Sequence, residues 1–191
     1  MSNDQDGMTD LELVEEVRNG RREAYTELMR RHQERVYWFV RKIVGTHEDA
    51  DDVTQETFVK AYLNLGDFRG ESSFFTWIYR IALNGALNAV RKRQVVAYVR
   101  ENDLISRLFP SGDDPHRELE RKETETQLQR AVAGLPEKQR AVFVLRYYEE
   151  LSYEEISTIL KTSVGGLKAN YFHALRKIRE ALRHEVQSPQ S

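Results

Sequence analysis

The chain has 191 residues, of which 40% are hydrophobic and 31% charged, with a formal net charge of −2 and a pI near 6.2. It contains no cysteine, which excludes disulfides, thiolate metal sites and a cysteine redox switch. The absence of a long apolar run and the polar, acidic start "MSNDQDGMTD" argue against a membrane span and a secretory signal peptide. We therefore expect a cytoplasmic protein of one domain or two small ones.

Charge is distributed unevenly along the chain. Residues 1–66 hold 14 acidic and 9 basic side chains, and residues 67–100 hold 2 and 6. Residues 101–125 hold 8 acidic and 4 basic side chains, and residues 126–191 hold 7 acidic and 10 basic ones. Because two basic zones alternate with two acidic ones, a chain of negative net charge can still present local positive fields to a polyanion.

The first half of the chain reads as helical. Apolar residues recur at helical spacing, and glycines at 20, 45 and 66 stop the pattern. A Gly/Ser loop, "DFRGESSF", precedes a long helix from Ser73 to about Arg93. The strand signal is confined to a weak "VVAYV" at residues 95–99.

A linker separates this half from a second helical unit. Between residues 101 and 125 the helical pattern fades, and "FPSGDDPHRELER" carries two of the four prolines and a string of charges. We predict an all-α fold with two small helical domains joined by this flexible, acidic linker. The expected divisions are a disordered N-terminus 1–9, a first domain 10–100, the linker 101–125, a second domain 126–186 and a tail 187–191.

The second unit contains a helix, a turn and a basic helix. Ser152 and Glu155 form an S-x-x-E capping box at the start of the first helix, and Ser163 is the expected N-cap of the second. From residue 161 to 184 there are six Lys or Arg against one Glu. Such a pair of helices places the second one in the DNA major groove, although an amphipathic hairpin with a solvated basic face remains the simpler alternative.

Two motifs give the chain its resemblance to a known family. The run "D-D-x-x-Q-E-x-F" and the run "F-x-T-W-x-x-R-I-A-x-N" are followed by the linker and the helix-turn-helix. In this order the elements resemble bacterial sigma factors of the extracytoplasmic-function class (group four), over about residues 10–185. No segment is available for the extra middle domain of primary sigma factors.

The resemblance implies that the acidic third helix docks on a basic coiled coil of the largest subunit of core RNA polymerase. A negative helix face is repelled by DNA and needs a positive protein partner, whereas a solvated acidic face is the alternative. A calcium site is disfavoured because the spacing and glycine of an EF-hand loop are missing. The implied contacts are Asp49, Asp51, Asp52, Gln55, Glu56 and Phe58.

The basic zone at 67–100 is the implied reader of the minus-ten promoter element. Asn84 and Asn88 lie on one helical face, and amide groups can hydrogen-bond an unpaired base. The preceding loop would close around an extruded base, and the arginines would hold the displaced strand. We expect Trp77 in the core. The implied minus-ten contacts are Phe68, Arg69, Ser72, Ser73, Arg80, Asn84, Asn88, Arg91 and Arg93.

The basic helix is the implied reader of the minus-thirty-five element. Lys168 suits guanine and Phe172 a thymine methyl, while Arg176 and Lys177 suit phosphates. The full implied set is Ser163, Lys168, Ala169, Phe172, His173, Arg176 and Lys177. Two positions depart from the family pattern, Gly166 in place of Thr or Ser and His173 in place of Arg, so the promoter preference of a relative does not transfer.

The resemblance also implies the partners and the setting. The partners are core RNA polymerase, including its flap region, promoter DNA and an anti-sigma factor; the linker would lie in the polymerase channel, and the regulon would serve a stress response. No enzyme motif appears, and we expect neither catalysis nor a cofactor. A dimeric helix-turn-helix repressor and a sigma-factor mimic that titrates a regulator remain alternatives.

Overall fold

The protein is helical throughout the part of the chain that the computed structural model describes, residues 7–101 and 119–187, and no strand occurs there. The helices are α1 (Asp10–Arg18), α2 (Glu23–Val44), α3 (His47–Leu63), α4 (Phe74–Glu101), α5 (Leu119–Ala133), α6 (Glu137–Phe143), α7 (Tyr153–Leu160) and α8 (Val164–Gln187). A 3₁₀ turn at Leu65–Asp67 and a π-helical turn at Val144–Tyr148 complete the set. None of the described helices is long and apolar enough to cross a membrane.

Local signals in the sequence fix where α1, α2 and α3 begin and end. Thr9 caps α1 in a capping box with Glu12. Gly45 ends α2 with φ +86°, a left-handed conformation that glycine adopts without a Cβ clash. Thr46 then caps α3, so α3 starts directly where α2 stops.

The first domain packs α2, α3 and α4 around an apolar core, with α1 against α2. Phe39 and Tyr79 lie at its centre with ring centroids 4.5 Å apart, and Trp77 is buried as predicted. A Cβ built on Gly85 would lie 3.1 Å from Val53 Cγ1. Glycine at this position therefore allows α4 to approach α3 closely.

The second domain packs α6 against α8, with α5 and α7 beside α8. Phe143 stacks on Tyr147 and on Tyr171, with centroids 5.1 and 6.1 Å apart. The predicted capping box of Ser152 is present at the start of α7. Helices α7 and α8 thus form the predicted helix-turn-helix.

The two domains contact each other directly. Helix α4 packs against α7, and α2 packs against α5 and the π-helical turn. Arg140 of α6 donates a hydrogen bond of 3.0 Å to the carbonyl oxygen of Ile43 in α2. The sequence predicted a linker between the domains and did not predict this interface.

The all-α prediction with two helical regions is confirmed, and two details differ. Helix α4 continues to Glu101, so the weak strand signal at residues 95–99 was wrong. Helix α5 begins at Leu119, inside the segment 101–125 expected to be the linker. Residues 102–118, which carry most of that segment, lie outside the described residues, as do residues 1–6 and 188–191.

Candidate functional site

The exposed side of α3 carries the predicted polymerase contacts. Asp52, Gln55 and Glu56 are exposed there, and Lys60 Nζ donates to Glu56 Oε2 at 2.7 Å. Asp51 Oδ2 lies 3.4 Å from His47 Nε2. We call Asp52, Gln55 and Glu56 the acidic face; it is solvated and open to a partner of opposite charge.

Asp49 does not belong to that open face. Its Oδ2 atom accepts hydrogen bonds from Thr46 Oγ1 at 2.7 Å and from Arg93 Nη1 at 2.9 Å. Arg93 also donates to the carbonyl oxygen of Val44 at 2.8 Å. The structure therefore pairs a predicted polymerase contact with a predicted DNA contact, and this arginine and this carboxylate tie α4 to the α2–α3 corner. Both assignments stay predictions.

Phe58 is a predicted polymerase contact that lies in the core in this structure, so its direct contact with polymerase stays a prediction. Its side chain is 4% exposed, in the core under α3. Two apolar side chains that the sequence reasoning missed are exposed instead, Val59 at 59% and Leu63 at 74%. Counting three or four residues along the helix from Gln55 and Glu56 reaches Val59, and four more reach Leu63, because side chains at that spacing share a face.

The predicted minus-ten face lies along α4. Asn84 and Asn88 are exposed, as the i, i+4 spacing predicts, and Arg80 is half-buried. Arg91 Nη1 donates to Asn88 Oδ1 at 3.1 Å. We call Asn84, Asn88 and Arg91 the amide face; it presents amide groups beside one guanidinium.

The guanidinium of Arg91 is also paired with the second domain. Its Nε and Nη2 atoms donate to the carboxylate of Glu137 at 2.9–3.0 Å, and this hydrogen bonding raises the pKa of Arg91. The sequence offered no sign of this partner, because Glu137 is 46 residues away in α6.

The loop that precedes α4, residues 68–73, is anchored to the first domain at its N-terminal end. Phe68 is 2% exposed and packs on Trp77, with ring centroids 5.3 Å apart, so its ring is buried in this conformation. Its contact with DNA stays a prediction. Arg18, which the sequence reasoning missed, donates to the carbonyl oxygens of Leu65 and Phe68. The loop is therefore fixed at one end by a buried ring and two backbone contacts.

The polar residues of this loop have different positions. Arg69 is exposed and Ser72 half-buried. Ser73 Oγ accepts a hydrogen bond of 3.1 Å from the backbone N–H of Thr76, so it caps the start of α4. Its predicted contact with DNA must coexist with this capping role.

The basic helix α8 presents the third predicted surface. Ser163 Oγ accepts from the backbone N–H of Gly166 at 3.3 Å, which is the expected cap. Phe172 is 63% exposed. The other predicted contacts on this helix are also exposed: Lys168, Ala169, His173, Arg176 and Lys177. We call this set the α8 face. The apolar residues of the same helix, Leu167, Ala174 and Ile178, are buried on its opposite side.

Two details of the α8 face come from packing. Lys168 Nζ lies 5.7 Å from the ring centroid of Tyr153, a cation–π contact that orients the lysine. A Cβ on Gly166 would lie 3.3 Å from Ser163 Oγ and Thr162 Cγ2, so the departure from Thr or Ser at this position fits a tight first turn.

Comparison with known proteins adds a second line of evidence. Two family models match, Sigma-70 region 2 over residues 28–95 and Sigma-70, region 4 over residues 125–178. The RNA polymerase sigma-H factor of Pseudomonas aeruginosa is 36% identical over 180 residues, covering 91% of this chain and 93% of that protein. The ECF RNA polymerase sigma-E factor of Escherichia coli K12 is 37% identical over 187 residues, covering 94% and 95%.

Two solved structures share the fold. CnrH in complex with the cytosolic domain of CnrY matches with a TM-score of 0.68 at 23% identity, over 94% of this chain and 99% of that chain. The sigma factor RpoE in complex with the anti-sigma factor NepR from Bartonella quintana matches with a TM-score of 0.64 at 21% identity, over 83% and 96%. At these identities the likeness is one of fold.

Proposed function

Because this chain belongs to the extracytoplasmic-function class of the sigma-70 family, we propose that it gives core RNA polymerase its promoter specificity through three separate surfaces. These are the acidic face of α3, the amide face of α4 and the α8 face. The observation that carries the proposal is the segregation of the exposed predicted contacts: their carboxylates lie on α3, whereas their amides and cations lie on α4 and α8.

The acidic face docks on core RNA polymerase. Asp52, Gln55 and Glu56 supply charge and hydrogen bonds to a basic surface of the largest subunit, and Val59 and Leu63 add apolar area beside them. Charge complementarity steers the encounter and fixes its register, while burial of the two apolar side chains slows dissociation.

The amide face reads the minus-ten element once the duplex opens. Extruding a base costs a few kcal/mol, and hydrogen bonds from Asn84 and Asn88 to its exposed edge offset that cost. Arg69 and Arg80 attract the displaced strand through its phosphates. The buried ring of Phe68 keeps the loop in place, so the pocket needs little reorganisation when the base arrives.

The α8 face reads the minus-thirty-five element in duplex DNA. Lys168 and Phe172 meet base edges, and Arg176 and Lys177 neutralise phosphates. The amide face and the α8 face each make only a few contacts with DNA. Once polymerase holds both at a fixed separation, the second contact becomes intramolecular and the overall affinity rises without any new interaction.

The further expectations follow from the family. We propose that the chain works in the cytoplasm on chromosomal promoters, has no catalytic activity of its own, serves a stress-response regulon, and is held inactive by an anti-sigma factor. The solved structure of the sigma factor RpoE is a complex with the anti-sigma factor NepR, which supports this last partner. The structure of CnrH likewise contains a second protein, the cytosolic domain of CnrY.

The test is reconstitution with bacterial core RNA polymerase. The full chain should co-elute with core polymerase and direct transcription from a randomised promoter library, selecting two-part promoters. Asp52→Lys and Glu56→Lys should abolish co-elution, whereas Glu23→Lys, at an exposed position on α2, should not. If the chain does not bind polymerase and instead binds duplex DNA alone as a dimer, the function is that of a dimeric helix-turn-helix repressor.

A further inference from the structure

Helix α1 holds the start of the loop at residues 68–73, the loop that closes around the extruded base in the proposed function. Arg18, the last residue of α1, donates from Nη2 to the carbonyl oxygen of Leu65 at 3.0 Å and to that of Phe68. Its Nη1 atom donates to Glu15 Oε1 at 2.6 Å. Because a guanidinium is planar and rigid, these bonds fix the two carbonyl groups relative to α1.

The middle and the end of the loop also lie close to α1. A Cβ built on Gly70 would lie 3.8 Å from Leu11 Cδ2, and this glycine has φ +72°, in the left-handed region. At the end of the loop, His32 Nε2 lies 2.7 Å from Asp10 Oδ2, and the ring of His32 lies 5.3 Å from that of Phe74, the first residue of α4. Leu11 precedes the arginine by seven residues, about two helical turns, so one side of α1 faces the loop.

The contacts of Arg18 suit a role in shaping the loop. Both of its Nη atoms donate to protein oxygens, and Glu15 places a negative charge beside the guanidinium. The apolar attachment of α1 to the core is made by Leu13 and Val14, which are buried. Removing the arginine side chain therefore leaves α1 attached and frees the start of the loop.

The anchored carbonyl groups determine where the rest of the loop lies. The ring of Phe68 is buried, and Ser73 caps α4, so residues 69–72 bridge two fixed ends. An N–H···O hydrogen bond spans only about 2.7–3.2 Å, so a shift of the loop by about 1 Å breaks a hydrogen bond to an extruded base. Selection among bases therefore depends on how firmly the start of the loop is held.

We propose that Arg18 is a positioning residue for reading the minus-ten element: by holding the carbonyl oxygens of Leu65 and Phe68, it fixes the loop in the shape that selects one base at the extruded position. The inference rests on the function proposed for the amide face and this loop. Helix α1 precedes residues 28–95, the segment that matches Sigma-70 region 2, so the motifs assign it no such role. Through the loop, α1 takes part in promoter recognition.

The first test compares the promoters selected by core polymerase with the full-length wild-type chain, Arg18→Ala or Arg18→Lys. From a library randomised in the minus-ten element, Arg18→Ala should lose about fivefold of the preference for the favoured base at the extruded position, the value of one ordinary hydrogen bond. Arg18→Lys can still donate to a carbonyl oxygen and should lose less. Arg21→Ala is the matched control and should select like wild type, because Arg21 pairs with Glu16 at 2.7 Å and its side chain is 70% exposed.

Salt dependence distinguishes positioning from direct contact with DNA. If Arg18 shapes the loop, wild type and Arg18→Ala should show the same salt dependence of promoter binding, because no phosphate contact is lost. A log–log slope smaller by about one in the variant would show that Arg18 neutralises a phosphate, and would overturn the proposal. The minus-thirty-five preference and the affinity for core polymerase should equal those of wild type. A parallel loss of both would show general damage to the fold and would likewise overturn it.

Hydrogen exchange tests the anchoring in the free chain, without polymerase. Backbone amides in a peptide that spans residues 65–73 should exchange faster in Arg18→Ala than in wild type or Arg21→Ala, while peptides from α3 keep the wild-type rate. Equal exchange of the loop peptide in all three chains would reject the anchoring.

The outcomes separate this proposal from the proposed function. If the wild-type chain directs transcription and Arg18→Ala selects the same bases throughout the minus-ten element, the role of Arg18 is rejected and the sigma-factor function stands. If the wild-type chain does not direct transcription, the sigma-factor function is rejected and the role in base selection with it. Exchange of the loop peptide then still reports whether Arg18 holds the loop.

Discussion

Replacing both Val59 and Leu63 by alanine should weaken binding to core polymerase and leave the fold unchanged. The two changes remove five methyl or methylene groups, each worth about 0.8 kcal/mol when buried. Val59 is 59% exposed and Leu63 74% exposed, so that share of the apolar surface is available for burial by a partner. The expected loss is about 2–3 kcal/mol, roughly 30- to 140-fold in Kd.

The assay is competition of the variant with fluorescently labelled wild-type chain for core polymerase, together with urea unfolding of each variant alone. Leu11→Ala is the control, because Leu11 is an apolar side chain exposed to a similar degree on α1. A Kd within twofold of wild type would refute the assignment of the two residues to the docking surface. A loss of unfolding free energy in the variant would show that they stabilise the fold instead.

Three further predictions concern the remaining surfaces and the core of the first domain. Asn84→Ala should reduce transcription and the melting of the minus-ten region, seen by permanganate footprinting, while polymerase binding stays at the wild-type level. Lys168→Ala should cost about 1–3 kcal/mol at one position of the minus-thirty-five element and relax its base preference, whereas Arg176→Ala should weaken all sequences equally and reduce the salt dependence of binding. Glu27→Gln should lower the free energy of unfolding at neutral pH. Arg30 and Arg31 lower the pKa of Glu27 to about 2, so the stabilisation by this carboxylate is fully present above its ordinary pKa of 4.5 and falls as the pH drops towards 2. Urea unfolding of wild type and variant should therefore give different free energies at pH 7 and converging ones near pH 2.

The local part of the fold was predictable because its causes are local. The capping boxes at Thr9 and Ser152 each depend on two residues three positions apart, and the stop at Gly45 depends on one. The exposure of Asn84 and Asn88 on one side of α4 follows from helical spacing in the same way. Such features need only the geometry of a single helix.

The burial of individual motif residues and the contacts between the domains depend on tertiary packing, which a motif does not reveal. The motif places Phe58 beside Gln55 and Glu56, but only the packing of α3 shows that its ring faces the core. The partner of Arg91 lies 46 residues away, and Glu149, the partner of Tyr79, lies 70 residues away. The π-helical turn that precedes Glu149 has no signal in the residue pattern.

That π-helical turn makes the interface tolerant of a one-residue change in chain length. The backbone N–H of Glu149 donates to the carbonyl oxygen of Val144, five residues back, so the turn holds one residue more than an α-helical turn would. Loss of a single codon within residues 144–148 would convert this bond into the four-residue bond of an α-helix, and Glu149 would still follow Val144 by about one turn. The carboxylate of Glu149 would therefore stay on the side of the helix that faces Tyr79. A descendant lineage can lose one residue here without uncoupling the two halves and without altering any residue that reads DNA.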